Sequence, residues 1–226
     1  MEIHFDAELK QLKQKLLLMA DLSQEMIGLA VKSLTEREAE IADRVLGIEE
    51  KVNHLEIEIE DETIRLLATR QPTAGDLRLL VALLKINNDL ERVADQACNI
   101  SGTVKYLLQE PPLVAPLIDI PRMAGLSQKM VKDSIDSFVN HDPALAKSVC
   151  QRDDEVDWLN NQIFRALLSL MTENPKNITR SVDFMLIGRN LERIADHATN
   201  IGEEVIFIEE GKNIKHHLQE DPKSPR

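Results

Sequence analysis

Two copies of a carboxylate-bearing segment are the part of this sequence most able to do chemistry. Residues 90–100 have the sequence LERVADQACNI and residues 191–201 have LERIADHATNI, with eight of eleven positions identical. Each copy carries one Glu and one Asp four residues apart: Glu91 and Asp95, then Glu192 and Asp196. Side chains at this spacing are neighbours on one helix face, and like charges there repel by a few tenths of a kcal/mol. The retained pairs therefore indicate a metal ion or another cation that compensates them.

A second acidic pattern precedes each copy and supplies weaker ligand candidates. Asp153 and Asp157 are four residues apart, and their counterparts 104 residues earlier are Glu49 and Asn53. In an antiparallel bundle we expect these side chains to lie across from the repeated carboxylates. Oxygen donors without paired Cys or His suit Mg, Ca, Mn or Fe, with Zn as a further candidate. The alternative interpretation is a solvated acidic face whose carboxylates pair with neighbouring arginines.

Composition argues against several classes of protein. A formal net charge of −12 disfavours binding to nucleic acid or to an anionic lipid surface. The sequence contains no HExxH, GxSxG, P-loop or GxGxxG motif, and no Glu-x-x-His pair of the di-iron type. The two cysteines, Cys98 and Cys150, lack metal-site spacing and indicate a reducing cytoplasm rather than a disulfide framework. The N-terminus lacks a basic region, so we expect no signal peptide.

Apolar periodicity predicts the elements that position these carboxylates. Stripes with alternating steps of three and four residues predict six long helices and no strands. The segments 19–26 and 123–130 are also repeated, with six of eight positions identical. We therefore expect an all-α, elongated fold of two tandem, structurally similar three-helix bundles. The predicted divisions are a first repeat at 1–110, a Pro-rich joint at 111–121, a second repeat at 122–210 and a polar, frayed tail at 211–226.

With these motifs the chain resembles the PhoU family of bacterial phosphate-signalling proteins. The resemblance covers about residues 5–210 and rests on the Glu-x-x-x-Asp motif in each half. It is supported by Gln71-Pro72 followed by Asp76-Leu77-Arg78. The family fold is two similar three-helix bundles, as the periodicity predicts. Family members resemble one another in binding multinuclear iron or zinc clusters on this acidic surface, and the metal need not be obligatory.

The resemblance implies a regulator rather than an enzyme. We expect a cytoplasmic negative regulator of phosphate uptake and of the phosphate-starvation response. It would act as an adaptor between the phosphate ABC transporter ATPase and a sensor histidine kinase, reach the membrane only through these partners, and form a homodimer. Carried over, the leading metal ligands are Glu91, Asp95, Glu192 and Asp196. The alternative is a carboxylate-cluster metal-dependent enzyme or a metal-handling helical protein.

Overall fold

The computed structural model describes residues 2–70, 72–113, 119–211 and 214, with side chains from Phe5 onward. Over these residues the secondary structure is helical, without strands. The helices are α1 (Glu2–Glu36), α2 (Ala39–Arg70), α3 (Ala74–Leu107), α4 (Asp119–Asn140), α5 (Pro143–Glu173) and α6 (Ile178–Glu210), with a 3-10 turn at Pro175–Asn177. None of these helices carries an apolar stretch sufficient to cross a bilayer.

The helices form two three-helix bundles that share a core. Helices α1, α2 and α3 pack on one another, as do α4, α5 and α6. The bundles meet where α3 packs on α6 and α1 packs on α4, and buried apolar side chains form one continuous cluster across both. Helices α2 and α5 pack mainly within their own bundles. The predicted all-α fold of two tandem bundles is therefore confirmed, and the 35-residue α1 alone is about 52 Å long.

The second repeated segment has a structural role in fastening the first helix of each bundle to the third. The hydroxyl of Ser23 on α1 lies 2.8 Å from the Met19 carbonyl and 3.3 Å from the Leu90 carbonyl on α3. In the second bundle, Ser127 makes the same pair of contacts with Met123 and Leu191, each at 3.0 Å. Both serines are fully buried. The carbonyls that the two serines reach on α3 and α6 belong to Leu90 and Leu191, the first residue of each repeated acidic segment.

The first turn of each bundle is also duplicated. Arg37 and His141, 104 residues apart, adopt left-handed backbone conformations with φ of 59° and 55°. The next amide nitrogen then bonds back to a helix carbonyl: Glu38 to Ser33 at 3.2 Å and Asp142 to Ser137 at 2.9 Å. This C-terminal bond closes α1 and α4 before the chain reverses.

The Pro-rich segment separates α3, which ends at Leu107, from α4, which begins at Asp119. Helix α4 thus starts within the segment 111–121, and Pro121 lies in its first turn, where a missing N–H costs no helical bond. Residues 114–118 lie outside the described residues. Most of the predicted tail at 211–226 does as well, apart from Ile214 and from Gly211, whose φ of 68° ends α6. The proposed domain boundaries stay predictions.

Polar side chains also join the two bundles. Buried Asp89 on α3 accepts from Asn200 Nδ2 at 3.1 Å and lies 2.8 Å from His197 Nδ1 on α6. Lys85 pairs with buried Glu204 at 3.1 Å. The Nδ1 atom of His197 therefore forms a contact across the bundle interface.

Candidate metal centres

Each bundle places one acidic cluster between its second and third helices. The first acidic cluster lies on α2 and α3 and comprises Glu49, Asn53, Glu56, Glu91 and Asp95. The second acidic cluster lies on α5 and α6 and comprises Asp153, Asp157, Asn160, Glu192 and Asp196. Each cluster contains four carboxylates and one carboxamide, so the two have the same formal charge.

The second acidic cluster brings together all four carboxylates that the sequence nominated there. Asp157 on α5 interacts electrostatically with both Glu192 and Asp196 on α6. Asp153, one turn earlier on α5, interacts more strongly with the charge of Asp196 than with that of any other carboxylate. The structure therefore places the carboxylate pair of α5 across from the carboxylate pair of α6, as the sequence predicted.

Asn160 completes this cluster because of a glycine opposite it. Its Nδ2 donates to Glu192 Oε2 at 2.6 Å. A Cβ at Gly188 on α6 would lie 2.8 Å from Asn160 Oδ1, which is closer than real Cβ atoms approach. The absent side chain at Gly188 therefore gives the carboxamide the room from which it reaches Glu192. At the matching place in the first bundle, Asn87 fills this space and donates to the Glu56 carbonyl at 3.0 Å.

Burial and mutual repulsion raise the pKa values of three carboxyl groups in the second acidic cluster. Burial raises the pKa of Asp153 to about 6, with further contributions from Asp196 and Asp157. Burial, then the charge of Asp157, also raises the pKa of Glu192 and of Asp196. The buried Oδ1 of Asp153 and the buried Oγ1 of Thr199 have no hydrogen-bond partner. This cluster thus concentrates negative charge with too few donors to satisfy it.

The first acidic cluster is better compensated by the protein itself. Arg92 lies 3.3 Å from Glu91 and 3.4 Å from Asp95. Burial, then the neighbouring carboxylate of Glu49, raises the pKa of the Cys98 thiol. Burial, then the charge of Asp95, still raises the pKa of Glu91. The first acidic cluster thus has an arginine within ion-pair range of two of its carboxylates. Among the described residues, no arginine lies within ion-pair range of a carboxylate of the second acidic cluster.

Two members of these clusters were missed in the sequence. Glu56 contributes to raising the pKa of Glu91 and so belongs to the first acidic cluster. Its counterpart 104 residues later is Asn160, just as Asn53 is the counterpart of Asp157. Extending the α2 pattern from Glu49 and Asn53 by one more turn would have found Glu56. The exchange of acid and amide between the two positions shows that Asn53 does not leave the first acidic cluster a carboxylate short.

Both clusters fit a hard or borderline cation by donor chemistry. Carboxylate and carboxamide oxygens are the ligands such ions prefer, and the unpartnered Oδ1 of Asp153 is an acceptor that a cation would satisfy. In the present side-chain conformations, no three His, Cys, Asp or Glu groups among the described residues converge on a single ion position. Binding would therefore need side-chain rotations within a cluster whose helices already lie together.

The PhoU domain model matches this chain twice, over residues 16–104 and 120–205. The chain belongs to the PhoU family. The matches separate one bundle from the other, so each acidic cluster lies within one PhoU domain. A relative from Aquifex aeolicus named "Phosphate-specific transport system accessory protein PhoU homolog" is 41% identical over 94% of this chain and 96% of its own length. A relative of the same name from Pseudomonas aeruginosa is 35% identical over 94% of this chain and 88% of its own length.

Two crystal structures of PhoU proteins have the same fold. The PhoU of Pseudomonas aeruginosa superposes with a TM-score of 0.90 at 36% identity, covering 92% of this chain and 100% of that one. The phosphate transport system regulatory protein PhoU of Streptococcus pneumoniae gives a TM-score of 0.86 at 28% identity, with 93% and 99% covered. The family assigned from the two Glu-x-x-x-Asp motifs is thus confirmed over both bundles.

Proposed function

We propose that this protein is a negative regulator of phosphate uptake and of the phosphate-starvation response. The observation that carries the proposal is that relatives matching nearly its whole length are named accessory proteins of a phosphate-specific transport system. The structural relative from Streptococcus pneumoniae is named a regulatory protein of such a system. These names also support a non-enzymatic role. Its place of action would be the cytoplasm, at the inner face of the membrane through its partners.

In this proposal the protein is an adaptor. It would bind the ATPase subunit of the phosphate ABC transporter and a sensor histidine kinase, and favour the kinase's phosphatase state when phosphate is abundant. Coupling of this kind is a linkage between two binding events, so each partner changes the affinity for the other. Two similar bundles side by side suit a protein that engages two partners. A homodimer would double the surfaces available to them.

The acidic clusters would bind iron or zinc, with Mg, Mn or Ca as further candidates. Glu91, Asp95, Glu192 and Asp196 are the leading ligands. Asp153, Asp157, Glu49 and Asn53 are weaker ones. Support comes from the raised pKa of the buried carboxylates and from the unpartnered oxygen of Asp153. A bound cation would supply the positive charge that the second acidic cluster lacks, whether or not regulation depends on it.

A pull-down from phosphate-replete cells tests the adaptor role. The full-length protein, tagged at one terminus, should recover the transporter ATPase and a sensor kinase, and should recover less of both after phosphate starvation. An unrelated acidic helical protein carrying the same tag serves as the control. Recovery of neither partner above that control would contradict the adaptor role.

Metal content tests the ligand assignment separately. The variant Glu91→Gln, Asp95→Asn, Glu192→Gln, Asp196→Asn keeps the shape of each side chain while removing four charges. We expect it to retain helicity by circular dichroism and to lose bound metal by inductively coupled plasma mass spectrometry. A control that neutralises four carboxylates elsewhere on the surface should keep its metal. Unchanged metal in the first variant would show that the ligands are wrong.

A further inference from the structure

An apolar groove between α5 and α6 is the strongest feature that the proposed function leaves unused. It encloses about 480 Å³ and runs past Phe164, Val182, Met185 and Leu186 to a polar end at Glu192. The side chains of Phe164, Val182 and Leu186 are 50%, 42% and 46% exposed. Large apolar side chains grouped on a protein surface mark sites of interaction. We call this feature the α5/α6 groove.

The first bundle carries only part of this apolar surface, because Leu77 and Val81, the counterparts of Ile178 and Val182, are exposed there as well. The counterpart of Phe164 is Glu60, and the counterpart of Leu186 is Lys85. Lys85 is occupied by its ion pair with Glu204 across the bundle interface. At these two positions of the stripe the first bundle carries charges and the second carries large apolar side chains. The apolar pair in the second bundle is therefore a property of its surface and not of its core.

The spacing of the exposed side chains matches one helix lying along the groove. Ile178, Val182 and Leu186 follow one another at intervals of four along α6, and Phe164 and Leu168 do so on the antiparallel α5; all are at least 42% exposed. From Ile178 to Glu192 the stripe covers about 21 Å of helix, close to four turns. A partner helix that presents apolar side chains at i, i+3 or i+4, and i+7 fills a groove of this kind.

The charge at the end of the groove defines the partner further. Glu192 is a member of the second acidic cluster, and its Oε2 already accepts from Asn160. Arg189 also lies at this end of the groove. Arg189 acts on Glu192 and Arg193 on Asp196, and two arginines against four carboxylates leave the region negative, in keeping with the net charge of −12. A basic side chain on the partner would be attracted to this end and an acidic one repelled.

We propose that the α5/α6 groove binds an amphipathic helix of a partner protein, whose apolar face packs on Phe164, Val182 and Leu186 and whose Lys or Arg pairs with Glu192. The inference rests on the proposed adaptor role and names the chemistry of one of its partners. The first bundle, with Glu60 and Lys85 in the matching places, would not bind this helix. The two bundles would therefore differ in what they recognise.

Three synthetic 18-residue helices test the proposal against the full-length protein. One carries a Leu face with Lys at one end, the second replaces Lys with Glu, and the third keeps Lys but replaces Leu with Ser. Binding is followed by fluorescence anisotropy of the labelled peptides in chelator, so that no metal competes for Glu192. We expect saturable binding of the Leu/Lys helix and at least tenfold weaker binding of the other two.

Matched variants locate the binding. Val182→Ser with Leu186→Ser should weaken binding of the Leu/Lys helix at least tenfold, and Glu192→Gln should weaken that binding severalfold. The control Leu77→Ser with Val81→Ser changes two exposed side chains of the first bundle and should alter binding less than twofold. Equal losses in both double variants, equal binding of the Ser/Lys helix, or no saturation below about 1 mM would each overturn the proposal.

Two further measurements separate this inference from its alternatives. If Val182→Ser with Leu186→Ser converts a dimer to a monomer in sedimentation, a second copy of the chain occupies the groove and the proposal is wrong. If that variant still recovers the ATPase and the kinase from cells as well as the unchanged protein, the groove is not their docking site although the adaptor role stands. If the unchanged protein recovers neither the ATPase nor the kinase, the adaptor role is wrong. The peptide experiment then still decides whether the α5/α6 groove binds a helix.

Discussion

The first and second acidic clusters carry the same number of carboxylates but face different local cations. In the first, Arg92 lies within 3.4 Å of both Glu91 and Asp95. In the second, the counterpart Arg193 acts on Asp196 only at longer range, and within the described residues it forms no ion pair. The duplicated motif therefore repeats the carboxylates without repeating the ion pairs that neutralise them. The placement of the arginine, more than the motif, distinguishes the two clusters.

Hydrogen-bond donors differ in the same direction. Glu49 in the first acidic cluster interacts with the thiol of Cys98, whereas its counterpart Asp153 has a buried oxygen without a hydrogen-bond partner. The residue in the place of Cys98 is Thr199, whose hydroxyl is also unpartnered. A cation would therefore gain more at the second acidic cluster than at the first, and the predictions below test this asymmetry.

The largest expected difference is in metal affinity. Glu192→Gln with Asp196→Asn should weaken binding at the second acidic cluster more than about 100-fold, since ligand loss exceeds the 10- to 100-fold cost of changing an outer partner. Glu91→Gln with Asp95→Asn is the matched change and should alter the tightest site less than about threefold. Calorimetric titration with Zn²⁺ and Mn²⁺ measures both. Equal losses from the two variants would make the sites equivalent.

The next effect is on the stability of the metal-free protein. Because the pKa of Asp153 is raised from 3.8 to about 6, the folded state binds this proton more tightly than the unfolded chain. The ionised carboxyl therefore destabilises the fold, by an amount that grows as pH rises from 3.8 to about 6 and is constant above. Asp153→Asn should raise the free energy of unfolding by about 1 to 2 kcal/mol at pH 7.5 and leave it nearly unchanged at pH 3.5.

Urea denaturation at the two pH values, in chelator, measures that change. Glu49→Gln is the matched control in the first acidic cluster, where Glu49 has no buried oxygen without a hydrogen-bond partner, and it should shift stability by less than about 0.5 kcal/mol. A stabilisation by Asp153→Asn that is the same at both pH values would rule out the titration of Asp153 as its cause.

A smaller effect tests whether the bundles are equivalent away from the clusters. Ser23→Ala and Ser127→Ala each remove a buried hydroxyl that joins two helices, and each should cost about 1 kcal/mol of stability. Because the contacts are duplicated, the two losses should agree within about 0.5 kcal/mol. Costs that differ by more would place an asymmetry in the scaffold as well as in the sites.

The sequence predicted the scaffold well because its signals are local and repeated. Steps of three and four between apolar residues suffice to predict helices, and the buried seam, including Leu90, Val93 and Ile194, follows them. The facing of Asp153 and Asp157 with Glu192 and Asp196 also followed from helix geometry. Compensation by Arg92 and Cys98 did not, because it depends on side-chain rotamers and on which donors reach across from the neighbouring helix.

The missed carboxylate at Glu56 has a related cause. Its counterpart is Asn160, so a search for carboxylates present in both halves passes over this position. The role of Gly188, which leaves room for the Asn160 carboxamide, could not be predicted from the sequence either. It depends on a distance between two helices rather than on spacing within one helix. Comparison of the repeats finds what they share, whereas the features that separate the two sites lie where the repeats differ.

The smallest effect bears most directly on why the clusters differ. Arg92→Ala removes the cation nearest to Glu91 and Asp95, and partly exposed ion pairs of this kind contribute about 0.2 to 1 kcal/mol. Releasing the two carboxylates should therefore raise the metal affinity of the first acidic cluster about two- to fivefold. Arg193→Ala is the matched change and should have a smaller effect, because Arg193 does not form an ion pair with either ligand.

Calorimetric titration measures both arginine changes, one site at a time. Arg92→Ala is measured at the first site in the Glu192→Gln, Asp196→Asn background. Arg193→Ala is measured at the second site in the Glu91→Gln, Asp95→Asn background. If Arg92→Ala leaves the affinity unchanged, then the unpaired Asp153 and Thr199 oxygens, rather than the missing guanidinium, set the preference for the second acidic cluster.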